Sequence, residues 1–234
     1  MKKPQQSISL NIGSEWKIRR PNIYRYLNKE HVDSFFETGD LRLSSFDVFS
    51  EHEDEQRFDD SEGQGTVVNR TSEGKGQTIS AFMSQGQKGY VLCGSMSYNN
   101  ELAEDFGTDS GFRIDNIVGF GHAVSRFVPG FIFGLEGPCI YLDSKILDRD
   151  LGQIDINSLR TSTDFKNIDV NKLKNVVSRI AGDDLYFVKD KKFAHQNEYR
   201  LIWQKSQEVK SFLNIQCTEA IQFCTRFEDI DFGG

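Results

Sequence analysis

A chain of 234 residues with a formal net charge of −7 has room for one domain or at most two small ones, and its negative balance excludes broad, sequence-independent nucleic-acid binding, though not a local basic groove. Hydrophobic residues make up 37%, below the usual value of about 45–50%, and no apolar run approaches the roughly 20 residues that cross a bilayer. Nineteen phenylalanines offset the deficit because each aromatic ring buries a large area, so composition predicts a core built on Phe rather than on Leu.

Residues 1–20 are polar and read as a loose lead-in, followed by a single α+β domain over 21–234. The opening Met1-Lys2-Lys3-Pro4-Gln5-Gln6 is basic but no apolar segment follows it, which argues against a signal peptide and for a cytoplasmic protein. Ile23-Tyr24-Arg25-Tyr26-Leu27 alternates like a strand. Asn28 reads as the cap of a helix through Glu30–Phe36, stopped by Gly39, and Leu41–Ser45 as a second strand. An acidic stretch follows from Glu51 to Glu62, then a Gly/Ser/Thr/Gln-rich segment over 61–78 that reads as loop or weak strand.

Thr78–Phe82 and Tyr90–Ser97 are stronger strands; Leu102–Phe106 and Ile117–Phe127 read as helices. Phe131–Gly134 and Cys139–Leu142 read as strands parted by a turn at Glu136-Gly137-Pro138. Val170–Ile180 has Leu173, Val176, Val177 and Ile180 on one helical face. Leu185–Val188 reads as a strand, and a basic patch of Lys189, Lys191 and Lys192 leads into a strand over Glu198–Trp203. Two short strands at 212–216 and 219–224 complete the series. Strands outnumber helices in irregular order, which favours α+β over a doubly wound sheet. Cys93, Cys139, Cys217 and Cys224 lack metal-like spacing and are expected as reduced thiols.

Glu198 is the most informative residue. A carboxylate at the start of a buried strand carries a desolvation cost and needs a reason. Gln196 precedes it by two positions, a spacing that on a strand puts both side chains on one face. A fixed carboxylate can stabilise the positive charge that develops on a ribose when an N-glycosidic bond breaks. The plainer alternative is an edge-strand Glu paired with Arg200 or a lysine. Arg25 stands between Tyr24 and Tyr26 and faces away from both. Arginine clamps phosphates and tyrosine rings can sandwich a base, though a surface Arg is the commoner role. Ser95 and Ser97 share a strand face and could hydrogen-bond a ribose.

The carboxylates of Glu51, Glu53, Asp54, Glu55, Asp59, Asp60 and Glu62, with His52, could hold Mg²⁺ or Mn²⁺, but match no metal loop. A solvated acidic loop is the commoner outcome, and no metal is expected. His122 and His195 are single histidines, more often structural than catalytic. Gly74-Lys75-Gly76 lacks the spacing of a P-loop.

Tyr24-Arg25-Tyr26, Phe36–Gly39, Leu41-Arg42-Leu43-Ser44-Ser45 with Phe46 and Phe49, and Glu198-Tyr199-Arg200 together make the chain resemble a bacterial domain-of-unknown-function family, the one numbered 2971. It departs from that family's Phe-Asn-Asp-Pro signature at Phe49-Ser50-Glu51-His52. The order Arg25, Ser95 with Ser97, and Gln196 with Glu198 is also similar to ADP-ribosyltransferases. That resemblance implies two packed, mostly antiparallel sheets with flanking helices, and NAD bound as substrate in the cleft between them. It assigns Tyr24, Arg25, Tyr26, Ser44, Ser95 and Ser97 to NAD binding, Glu198 to transition-state stabilisation and Gln196 to placing an acceptor. A mono-ADP-ribosyltransferase or NAD glycohydrolase in a toxin or anti-phage setting is implied. The acceptor would be protein or nucleic acid, with no membrane and with room for a regulatory protein partner. The alternatives are a non-catalytic nucleotide- or partner-binding module and a metal-dependent nuclease using residues 51–62.

Overall fold

The structure, a computed structural model, describes residues 20–49, 63–70, 78–84, 86–150, 155–161, 167–209 and 211–229. The lead-in before residue 20, the acidic stretch at 51–62 with its candidate metal ligands, and Gly74–Gly76 lie outside the described residues. The chain opens with β1 (Ile23–Leu27), α1 (Lys29–Thr38) and β2 (Asp40–Ser45). Helix α1 buries Val32 and Phe35, three apart and therefore on one face. It ends at Gly39 as its sequence predicts: φ is 79°, and the Gly39 N–H donates to the Phe35 carbonyl.

A Cβ on Gly39 would stand 2.4 Å from the Thr218 backbone nitrogen, and the left-handed conformation alone costs an L-residue about 1–2 kcal/mol. Gly39→Ala is therefore expected to lower unfolding free energy by at least about 1–2 kcal/mol in urea denaturation. A variant as stable as the parent would contradict this close approach between the α1–β2 corner and residues 217–218.

The chain continues through α2 (Phe46–Phe49), β3 (Gln64–Arg70), β4 (Thr78–Ser84), β5 (Gly89–Ser95), α3 (Asn100–Asp105), β6 (Ser110–Ile114), α4 (Ile117–Ser125), β7 (Phe131–Pro138), β8 (Ile140–Leu142) and β9 (Ile146–Arg149). It finishes with α5 (Val170–Ala181), β10 (Val188–Asp190), β11 (Glu198–Lys205), β12 (Leu213–Gln216), α6 (Thr218–Ile221) and β13 (Cys224–Arg226). Side-chain caps start three of the helices. Asn99, Asn116 and Asp169 accept from the backbone N–H groups of Glu101, Gly119 and Asn171, satisfying donors that a first turn leaves open.

Three sequence expectations are corrected, and one strand was missed. Glu136-Gly137-Pro138 is no turn: β7 runs through it, with Tyr199, Arg200 and Leu201 of β11 opposite Pro138, Gly137 and Glu136. Proline is tolerated because, among the described residues, β7 pairs with β11 alone and Pro138 ends the strand. Residues 184–187 form a 3₁₀ turn ahead of β10 rather than a strand. The first half of 219–224 belongs to α6. Strand β6 was not foreseen, because only Phe112 and Ile114 alternate within it.

Among the described residues the main sheet has eight strands in the order β12-β2-β5-β1-β6-β13, with β11 on β5 and β7 on β11. Every pairing in it is antiparallel. Two small sheets, β4-β3-β9 and β10-β8, each contain a parallel pair. The architecture is thus mixed α+β with antiparallel sheets and few helices. The Phe-built core is only partly present. Phe35, Phe46, Phe112, Phe120 and Phe193 are buried, but Phe82, Phe127, Phe131, Phe133 and Phe212 are exposed and most of the core is Ile, Leu and Val. Among the described residues no helix is long and apolar enough to cross a membrane.

Candidate functional site

Strand β5 organises the site. One edge is taken by β11 along its whole length, from Glu198 opposite Ser95 to Gln204 opposite Gly89. Its other edge is shared. Strand β2 meets it at Tyr90 and Val91, and β1 meets it at Ser95. Between those contacts β1 and β2 part. A cavity of about 630 Å³ is lined there by Arg25, Ser44, Val91, Cys93, Gly94 and Ser95, a volume in the range of small-molecule sites. Ser95 is the backbone partner of both Tyr24 and Glu198. The three segments singled out by sequence therefore sit side by side, and Tyr24, Arg25, Tyr26, Gln196 and Glu198 all border the same cavity.

Arg25 is half-buried and donates from Nη1 to the Cys93 carbonyl. Gly94 lets β1 lie close: a Cβ there would stand 2.5 Å from Ile23 Cγ2 and 3.5 Å from Arg25 Cδ. Tyr24 and Tyr26 are already engaged with other rings. Tyr26 stacks with Tyr98 at 6.4 Å and meets Phe227 edge-on at 5.4 Å; Tyr24 lies 5.8 Å from Tyr98. The Tyr26 hydroxyl donates to the Ser97 carbonyl at 3.1 Å and accepts from the Asn99 N–H at 2.7 Å, while burial pushes its pKa up. The two tyrosines thus form a wall rather than an open sandwich.

Ser95 is buried and its Oγ accepts from the Ser97 N–H at 3.1 Å. Ser97 does not border the cavity. Its Oγ accepts from Asn197 Nδ2 at 2.7 Å, holding a turn in which Asn197 has φ 45°. Gln196 ends a 3₁₀ turn over Lys191–Gln196, so it reaches the cavity by that turn and not by strand parity with Glu198.

Glu198 is 6% exposed and lies in the sheet interior, between β5 and β7, not on an edge strand. Both partners that the plainer reading named are present. Lys189 Nζ contacts Oε2 and Arg200 Nε donates to Oε1 at 2.7 Å. The Cys139 thiol lies 3.5 Å from Oε1, and the Glu198 N–H donates to Tyr141 Oη at 2.6 Å. Burial works to raise the Glu198 pKa, but the charges of Lys189 and Arg200 outweigh it and hold the carboxyl far below the ordinary range. For the neighbours burial outweighs the nearby cations and pushes the Cys139 thiol and the Tyr141 hydroxyl up, so both stay protonated at neutral pH.

Lys189 is the residue that sequence misplaces. Grouped with Lys191 and Lys192 it reads as surface charge, yet only those two are exposed. Lys189 is buried, donates to Gln196 Oε1 at 2.8 Å and stands 4.9 Å from the Phe193 ring centre. Arg200 is 1% exposed and also donates to the Tyr186 carbonyl at 2.6 Å. The only local hint for Lys189 is its position directly after the buried Val188, on a strand too short to show a period.

The opposite end of the cavity lies on β2 and β12, with Asp40, Arg42, Phe212 and Asn214; of these, sequence assigned none to the site. His122 and His195 do not border the cavity. Glu198 is neutralised by Lys189 and Arg200, which leaves Arg25 and Arg42 against Asp40 on the lining, so the space favours an anionic ligand. Comparison of the chain with protein-family models, with curated proteins and with solved structures finds no match.

Proposed function

We propose that the cavity binds NAD and that the protein breaks the nicotinamide–ribose bond, as an ADP-ribosyltransferase or NAD glycohydrolase with an ADP-ribosyltransferase-like fold related to family 2971. The observation that carries this reading is the meeting of Arg25, Ser95 and Glu198 on one cavity at the parting of β1 and β2. Arg25 supplies the cation for the diphosphate. Ser95 and Ser44 offer hydroxyls to a ribose. Glu198 stays ionised and faces the positive charge that grows on the ribose carbon as the bond breaks. Nicotinamide leaves with the bonding electron pair, the ribose carbon is captured by water or an acceptor nucleophile, and the proton of that nucleophile passes to solvent.

A carboxylate has about four lone-pair sites. Lys189, Arg200 and the Cys139 thiol occupy three of them, which leaves one for a ribose hydroxyl. The same clamp favours a second reading, a module that binds the nucleotide without turnover, because two cations damp the field of the carboxylate.

NAD labelled in its adenylate half separates the two readings. Catalysis predicts released nicotinamide, with the label on an acceptor or in free ADP-ribose. Binding without any product would favour the module. Arg25→Ala is expected to weaken NAD binding by tenfold or more, from loss of a charge-assisted contact worth about 1.5–3 kcal/mol. Unchanged binding would remove Arg25 from the site.

A further inference from the structure

We infer that the β2–β12 end of the cavity is an adenosine subsite, built by Arg42, Phe212, Asn214 and Asp40; the inference rests on the dinucleotide reading above. Four side chains of different chemistry border this end. The Arg42 guanidinium lies over the Phe212 ring, 4.3 Å from its centre, and its Nε donates to Asn214 Oδ1 at 3.1 Å. Asn214 thereby fixes the plane of the guanidinium. Arg42 and Phe212, both exposed, form a flat cationic shelf. Planar guanidinium and aromatic faces stack on nucleobases of any sequence.

The remaining groups suit a base bearing an amine and a ribose better than a bare phosphate. The Asn214 amide carries donors as well as its acceptor. Asp40 accepts from Ser34 Oγ at 2.7 Å. Its carboxylate is held below the ordinary range by hydrogen bonds from Ser34, Gln216 and Thr38, so it remains an acceptor for an exocyclic amine or a ribose hydroxyl. A carboxylate would repel a phosphate at the same place.

The spacing agrees with a two-ended ligand. From β11 through β5 and β2 to β12 there are three inter-strand steps of at least about 4.8 Å, since β2 pairs with β5 only at Tyr90 and Val91, so at least roughly 14 Å in all. That separates the shelf from Glu198 and leaves Arg25, on the parted β1, to face the intervening diphosphate.

Titration calorimetry on the full chain with NAD, adenosine monophosphate and nicotinamide mononucleotide tests the assignment. Phe212→Ala is expected to weaken adenosine monophosphate and NAD by about tenfold or more, while nicotinamide mononucleotide binds as before. Arg42→Lys keeps the charge and loses the plane, and is expected to act in the same direction. Both side chains are exposed, so unchanged melting temperatures are expected and serve as the folding control. If the parent binds all three ligands and both variants hold adenosine monophosphate as tightly as it does, the subsite is overturned and the dinucleotide reading stands. If the parent binds none of the three, the dinucleotide reading falls and the subsite with it.

Discussion

On the proposed reading, Glu198→Gln is expected to lower nicotinamide release from NAD by a factor on the order of a hundred or more, the scale on which a preorganised electrostatic group contributes to a transition state. The same exchange also destabilises the fold. A neutral amide leaves Lys189 and Arg200 as buried cations without their counter-charge, and breaking a buried pair costs about 3–5 kcal/mol. Loss of activity alone would therefore be ambiguous. Adding Lys189→Met to Glu198→Gln separates the effects, because it removes one stranded charge. The double variant is expected to recover part of the unfolding free energy in guanidinium titration while its nicotinamide release stays as low as that of Glu198→Gln. If release returned together with stability, the carboxylate would be a structural counter-ion and not a catalytic residue.

Arg200→Met is expected to lower stability by about 3–5 kcal/mol. Its guanidinium is 1% exposed and joins Glu198 to the Tyr186 carbonyl, so methionine leaves Glu198 with Lys189 as its one cation and takes the donor from the backbone acceptor as well. The pH dependence changes in a defined sense. Glu198 has a lowered pKa in the folded state, so its contribution is present above the unfolded Glu value of about 4.3 and is lost as pH falls through the folded value. In the parent that loss lies below the range in which ordinary carboxyls protonate. In Arg200→Met one of the two opposing charges is gone and burial raises the pKa, so loss begins at higher pH. Acid unfolding followed by circular dichroism should show a midpoint displaced upward. Coincident acid curves for parent and variant would contradict the ion cluster.

Particular residues show what could be seen in advance. The β1–α1–β2 opening was legible because alternation, a capping Asn and a stopping Gly lie within one short window. Glu198 was legible as an anomaly, a charge in an apolar run. Pairing with Arg200 or a lysine was legible too, but which lysine, and the contacts with Cys139 and Tyr141, were not, because Lys189, Cys139 and Tyr141 reach it from β10 and from the β7–β8 segment, and no local period encodes a contact between them. Glu136-Gly137-Pro138 misled because turn chemistry and the tail of an edge strand share a composition. Gln196 met its expected neighbour for a different reason, a 3₁₀ turn reset by Asn197. Arg42 and Phe212 stayed hidden because a cation resting on an aromatic ring is a tertiary event between β2 and the residue ahead of β12.

The two neighbours of Ser95, at Tyr24 and Glu198, come from distant parts of the chain, and such non-local pairings form slowly. On a translating ribosome the early strands must wait for β11 before the hollow between them gains its acidic floor. Any chemistry that depends on that floor is therefore withheld from the growing polypeptide until synthesis has passed β11 and that strand has docked.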